Sequence, residues 1–304
     1  MGIIAKVYKK KMLHRYDKDG YTPYLSVEDF PNLHKETYSF TNSLDVDISY
    51  FYYYYDGYKP NKVILFLHGL GPGHTAYMRE IETLCKQGYK VLTLDYMGCD
   101  SSKGENMHAM NRPTADVDEL LSHLSLKEEV VVMGHSLGGF TSMNIMRFRP
   151  EIHKAVVMSG FFKPNPVLKA FTGKDFYTKY IQKYEKKTEP KYFPEKLFEY
   201  FENTSDKFLF IHSKDDPIVN YNATIDPLEQ LNKDNFQFIK IDGRGHNPNY
   251  TDESAKLVTK VFTEYYKLKK KEDIEKLMKN LSAWKLTEQD PEIFKKIFSF
   301  IEET

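Results

Sequence analysis

The chain has 304 residues, 41% hydrophobic and 15% aromatic, enough for one large α/β core without requiring a second domain. Its 43 basic and 43 acidic side chains cancel, which argues against a protein that tracks nucleic-acid phosphates, and no apolar run approaches the ~18 residues of a membrane span. Cys85 and Cys99 offer no disulfide framework and suit a reducing compartment, so the expected location is cytoplasmic.

Residues 1–34 read as a polar N-terminal extension broken by Pro23 and Pro31, without the apolar core of a signal peptide. Lys6 stands where a myristoylation signal needs Ser or Thr. Lys9-Lys10-Lys11 and Lys269-Lys270-Lys271 are short solvated runs. Residues 37–40 and 46–55 predict two strands. Their tyrosines are strong strand formers, which outweighs a stacking platform for bases or sugars, and Asp56-Gly57 supplies a turn.

From Lys62 the pattern alternates. Residues 63–67 form a buried strand ending in His68-Gly69-Leu70-Gly71; a helix follows at 77–87, with Gly88 as its stop. A strand at 91–94, a helix from Pro113 to about 124, and strands at 130–133 and 155–158 come next. Such alternation predicts an α/β fold with a mostly parallel central sheet and helices on both faces. The alternation then breaks from 161 to 206, far beyond the usual ~2–6-residue connection. Phe176, Tyr177, Tyr180, Ile181 and Tyr184, then Leu197, Phe198 and Phe201, recur with helical spacing, so this stretch is read as a helical cap insertion. The sheet resumes at 208–211, followed by a helix at 223–231, a strand at 236–241 and a helix at 253–268. The expected organisation is therefore extension 1–34, core 35–160, cap 161–206, core 207–268, and a C-terminal extension 269–304 of two amphipathic helices.

The chemistry centres on Gly134-His135-Ser136-Leu137-Gly138. A β-branched run precedes it and helical spacing follows it, the strand–turn–helix context that puts a serine on a nucleophile elbow. A serine hydroxyl needs a base, and the base needs a carboxylate to hold its tautomer. In parallel-sheet hydrolases these follow in the order serine, acid, histidine. Asp215 and Asp216 lie just past the 208–211 strand. Asp216 is preferred because Asp216-Pro217-Ile218-Val219 matches an acid loop, while either residue can also cap a turn before Pro217. His246, in a glycine-bearing loop after the 236–241 strand, is the expected base. His68, His74 and His135 are expected to be structural, and His212 precedes the acids without a loop of its own. The N–H groups of Leu137 and Leu70 are the expected oxyanion donors. This chemistry calls for no metal and no cofactor.

His68-Gly69-Leu70-Gly71, Asp95-Tyr96-Met97-Gly98 with Ser101, Gly134 to Gly139, Asp216-Pro217-Ile218-Val219 and Gly245-His246 together resemble the α/β-hydrolase superfamily. The resemblance covers about residues 35–267 and is nearest the lysophospholipase, monoacylglycerol lipase and serine aminopeptidase-like branch. It implies the roles given above to Ser136, Asp216, His246, Leu70 and Leu137, and a carboxylic ester substrate. Met97-Gly98-Cys99-Asp100-Ser101 departs from the usual Arg-Gly-x-Gly-x-Ser, and the terminal extensions have no counterpart. The expected function is a serine hydrolase of the carboxylesterase or lysophospholipase/monoacylglycerol lipase kind, acting on esters of small or medium acyl groups, with an apolar acyl or aryl group favoured by the aromatic cap. Amide, thioester or carbon–carbon hydrolysis by the same triad is the alternative, and a non-catalytic ligand-binding member of the fold a more distant one. Neither nucleic-acid partners nor stable membrane insertion are expected, and the oligomeric state is left open.

Overall fold

The computed structural model describes residues 2–303 apart from 173, 174 and 266. Positions 173 and 174 of the expected cap, and 266 of the expected 253–268 helix, thus lie outside the described residues. The strands are β1 (His34–Thr41), β2 (Asp47–Tyr54), β3 (Lys62–Leu67), β4 (Lys90–Leu94), β5 (Glu129–His135), β6 (Lys154–Met158), β7 (Lys207–Ser213) and β8 (Phe236–Ile241). They form one sheet in the order β1-β2-β4-β3-β5-β6-β7-β8. The β1–β2 and β2–β4 pairs are antiparallel and the remaining pairs parallel.

The central strands read as unbroken apolar runs because both sheet faces are covered. In β3, Val63, Leu65 and Leu67 enter one core cluster while Ile64 and Phe66 enter the other; Val130 and Val132 oppose Val131 and Met133 in β5 in the same way. The tyrosines of β2 obey this alternation: Tyr50 and Tyr53 are buried in opposite clusters, so the stretch is sheet rather than a stacking platform.

The helices are α1 (Ile3–Met12), α2 (Met78–Lys86), α3 (Arg112–Leu124), α4 (Leu137–Ile145), α5 (Pro164–Thr172), α6 (Asp175–Thr188), α7 (Leu197–Asn203), α8 (Tyr221–Thr224), α9 (Asp226–Glu229), α10 (Asp252–Tyr265), α11 (Lys271–Lys279), α12 (Ala283–Leu286) and α13 (Pro291–Glu302). Among the described residues, no helix is long and apolar enough to cross a membrane. Three expectations differ. The extension contains α1, which buries Tyr8 and Met12 against the core. The helix expected at 223–231 is divided into α8 and α9, because Pro227 has no N–H for a continuous ladder and instead sits in the first turn of α9. Among the described residues, the C-terminal segment holds three helices rather than two. Of these, α13 buries Ile293, Phe294, Ile297, Phe300 and Ile301 in the second core cluster against the sheet.

Helices α5, α6 and α7 occupy the long interruption between β6 and β7. Phe161, Phe162, Ile181, Leu197 and Phe201 from this region are buried in the first core cluster, whereas Phe176 and Tyr180 face solvent. Strand register then aligns the ends that matter. Leu67 pairs with Gly134, His135 with Met158, Met158 with Ile211 and Ser213 with Ile241. The loops leaving β3, β5, β7 and β8 consequently emerge along one edge of the sheet.

Candidate active site

At the end of β5 the chain reverses within one residue. Ser136 has φ 55 and ψ −115, a left-handed backbone that a non-glycine residue adopts only under constraint. Its N–H is held by the Met158 carbonyl at 2.9 Å. The flanking glycines make this crossing feasible. A Cβ at Gly134 would run into the Gly138 carbonyl, and one at Gly138 into the Leu67 carbonyl. Strand, elbow and helix touch backbone to backbone. Leu137, the first residue of α4, is buried, and its N–H is among those a helix leaves without an intrahelical partner.

The two acidic candidates are separated by what they hold. Asp216 is buried; its Oδ1 accepts the N–H groups of Ile218 (2.8 Å) and Val219 (2.9 Å), and its Oδ2 lies 2.8 Å from His246 Nδ1. Burial by itself would raise the Asp216 carboxyl; the hydrogen bond and charge of His246, the Val219 N–H and His212 outweigh it and keep the group below the usual carboxylate range. Paired this way, His246 Nδ1 carries the proton and Nε2 is left as the basic nitrogen. Asp215 has a different task. Its Oδ1 accepts from Ser213 Oγ (2.5 Å), Gly243 N–H (3.0 Å) and Gly245 N–H (3.4 Å), pinning the loop that carries His246.

That loop is also fastened from the C-terminal segment. Arg244 pairs with Asp252 and Asp290, both at 2.7 Å, and donates to the Tyr250 carbonyl. Asn249 donates to Glu80 (2.9 Å) and Gln289 (2.7 Å), while its carbonyl accepts the Asp290 N–H at 2.8 Å. Ser136 and His246 are both partly exposed. The Ser136 hydroxyl makes no hydrogen bond to His246 among the described residues; such bonds commonly tighten only when substrate is in place.

The loop after β3 completes the cluster. His68 is buried, donates from Nδ1 to the Gly69 carbonyl (2.7 Å) and accepts the Tyr96 N–H at Nε2 (3.2 Å). Burial pushes its pKa down to about 4, keeping it neutral. Further along, His74 gives its backbone N–H and Nδ1 to Asp95 Oδ1, each at 2.8 Å, and its Nε2 meets Tyr53 Oη at 2.9 Å. Leu70 lies between these anchors and is 37% exposed.

Two histidines set aside on sequence are close to the chemistry. His212 Nε2 is 2.8 Å from the Val219 carbonyl and 3.5 Å from Asp216 Oδ2. His135 Nε2 is 2.7 Å from the His246 carbonyl, and the two rings lie 4.8 Å apart. Sequence order excluded His212 as the base without showing that it borders the acid. Two surface hollows, one lined by Pro60, Asn61 and residues 124–128 and one between α10 and α11, contain none of these residues.

Residues 58–198 match the family model described as serine aminopeptidase, S33. The matched stretch contains Leu70, Ser136 and Leu137 and ends before Asp216 and His246. The chain is 33% identical over 108 residues to the sn-1-specific diacylglycerol lipase ABHD11 of Xenopus tropicalis, covering 35% of this chain and 33% of that protein. Both matches indicate the α/β-hydrolase superfamily. A further match is salicylic acid-binding protein 2 of Nicotiana tabacum, 32% identical over 111 residues, covering 36% of this chain and 43% of that one. The alignments therefore span well under two thirds of these curated relatives. Among solved structures, the Pyrococcus furiosus esterase Pf2001 superposes with a TM-score of 0.59 at 20% identity, covering 88% of this chain and 98% of the esterase. The Pyrococcus horikoshii acylaminoacyl peptidase does so with a TM-score of 0.55 at 17% identity, covering 83% of this chain and 45% of the peptidase. These two likenesses establish the shared α/β-hydrolase fold.

Proposed function

We propose that this α/β-hydrolase is a serine hydrolase that cleaves carboxylic esters through Ser136, His246 and Asp216. The observation that carries this reading is the 2.8 Å bond between Asp216 and His246, formed at the same sheet edge as a serine held at φ 55. Ser136 Oγ attacks the ester carbonyl while His246 Nε2 takes its proton, and Asp216 balances the resulting imidazolium. The Leu70 and Leu137 N–H groups receive the oxyanion, each worth ~3–4 kcal/mol in comparable sites. Collapse expels the alcohol with the proton from His246, and water, deprotonated by His246, then releases the acid and restores Ser136.

In this reading residues 35–160 and 207–268 supply the catalytic core, and 161–206 form a cap favouring an apolar acyl or aryl group. The buried free thiols Cys85 and Cys99 are consistent with a cytoplasmic setting. The names of the diacylglycerol lipase and the Pf2001 esterase support ester cleavage. The aminopeptidase family description and the acylaminoacyl peptidase favour a second reading, amide cleavage by the same three residues. Turnover of p-nitrophenyl esters of increasing acyl length, set beside aminoacyl p-nitroanilides, separates the two. Ester turnover that disappears in Ser136→Ala supports the first reading; turnover of the anilides alone favours the second, and unchanged ester turnover in Ser136→Ala defeats both.

A further inference from the structure

A second side-chain connection crosses the site and is not part of the triad. The Gly69 N–H donates to Tyr77 Oη at 3.0 Å, Tyr77 Oη lies 2.9 Å from His135 Nδ1, and His135 Nε2 lies 2.7 Å from the His246 carbonyl oxygen. Only one set of directions satisfies all three. A backbone carbonyl can only accept, so His135 carries its proton on Nε2; Nδ1 is then bare and accepts the Tyr77 O–H, whose oxygen is free to accept from Gly69. Burial, aided by the neighbouring His246, pushes the His135 pKa down to about 3, so this pattern does not titrate near neutrality.

The two ends of the connection are informative. At one end, Tyr77 holds the peptide plane before Gly69, and His68 Nδ1 holds the Gly69 carbonyl in the plane after it. In a trans peptide the N–H points opposite the preceding C=O, so fixing the Gly69 carbonyl aims the Leu70 N–H. A Cβ on Gly69 would come within 2.5 Å of Tyr77 Oη, so the hydroxyl sits close only because residue 69 is glycine. At the other end the bond fixes the backbone of the residue that carries the base, and the His135 ring packs 4.8 Å from the His246 ring. His135 itself directly precedes Ser136.

We propose that Tyr77 and His135 form a positioning relay that keeps the Leu70 N–H and the His246 imidazole in register about Ser136. The relay rests on the serine-hydrolase reading above, and both residues act in it by positioning other groups. It ties the loops leaving β3, β5 and β8 together with bonds a purely apolar packing contact would not need.

The test compares the full-length wild type with Tyr77→Phe, His135→Gln and His135→Leu, all well below their melting temperatures. Each is assayed for p-nitrophenyl ester kcat and KM and for the rate of fluorophosphonate labelling. Tyr77→Phe is expected to lower kcat and the labelling rate roughly ten- to hundredfold, with KM changed by no more than about twofold, because misplacement rather than binding is affected. His135→Gln can place its amide N–H where Nε2 lies and is expected to recover much of the rate lost in His135→Leu. If the variants shift only the melting temperature, or raise only KM, or if Gln is no better than Leu, the relay is overturned. A wild type that is not labelled at Ser136 overturns the hydrolase reading and the relay with it, an outcome read from the unmutated protein alone.

Discussion

Asp216→Asn and Asp215→Asn change one atom each in adjacent residues, and the geometry separates their consequences. Asp216 Oδ1 retains its two backbone donors in an amide, so the loop is preserved. The group facing His246 Nδ1 becomes a donor, however. His246 must then bear its proton on Nε2, where it cannot accept one from Ser136, and the imidazolium loses its counter-charge. In serine hydrolases this tautomer error costs about 10⁴ in kcat, or about 5 kcal/mol at 1.36 kcal/mol per decade. Asp215→Asn keeps an acceptor for Ser213, Gly243 and Gly245 and loses only the charge on bonds at 2.5, 3.0 and 3.4 Å. That costs about 1 kcal/mol of stability and less than about tenfold in rate. Steady-state hydrolysis of p-nitrophenyl acetate near pH 8, with thermal melts alongside, reads both. A collapse in Asp215→Asn with activity retained in Asp216→Asn would refute the assignment.

Gly138→Ala forces a methyl into the Leu67 carbonyl, backbone against backbone; we expect loss of soluble folded protein or at least ~3 kcal/mol of stability, measured by denaturant unfolding. Arg244→Met removes two ion pairs and a carbonyl contact that fasten the histidine loop to Asp252, Asp290 and Tyr250. A destabilisation of about 1–3 kcal/mol is expected, with a fall in kcat, and unchanged kcat would show that the loop does not need this clamp. Burial pushes Glu80 up to about 7 from 4.5, so its contribution to stability is full below about pH 4.5 and is lost as pH rises through about 7. Glu80→Gln should flatten the decline of melting temperature across that window by the equivalent of up to about 3 kcal/mol, leaving the part due to Glu185, which burial also raises to about 7. An unaltered slope would count against the assignment to Glu80.

The central strands were legible because burial on both faces leaves an uninterrupted apolar run, as in Val63 to Leu67 and Val130 to Met133. The elbow was legible for a related reason: close backbone crossings at Gly134 and Gly138 admit no other residue, and the sequence records that directly. α1 was missed although Ile4, Tyr8 and Met12 fall four residues apart, because the lysines between them mask a narrow apolar stripe. The apolar spacing from 223 to 231 runs straight through Pro227, the residue that divides α8 from α9. Asp215 and Asp216 offer the same chemistry at neighbouring positions, so only the direction of each carboxyl tells the loop anchor from the partner of His246. Tyr77, His135 and His212 carry no spacing signal toward one another. They meet because separate strands end along one sheet edge, a relation between distant segments that no local pattern encodes.

The most direct test of the central claim is to locate the covalent adduct itself. After reaction of the full-length protein with a fluorophosphonate, peptide mass mapping should place a single modification on Ser136, with no adduct in Ser136→Ala and strongly slowed labelling in His246→Ala. A modification on another residue, or one formed equally fast without the Ser136 hydroxyl, would contradict the account.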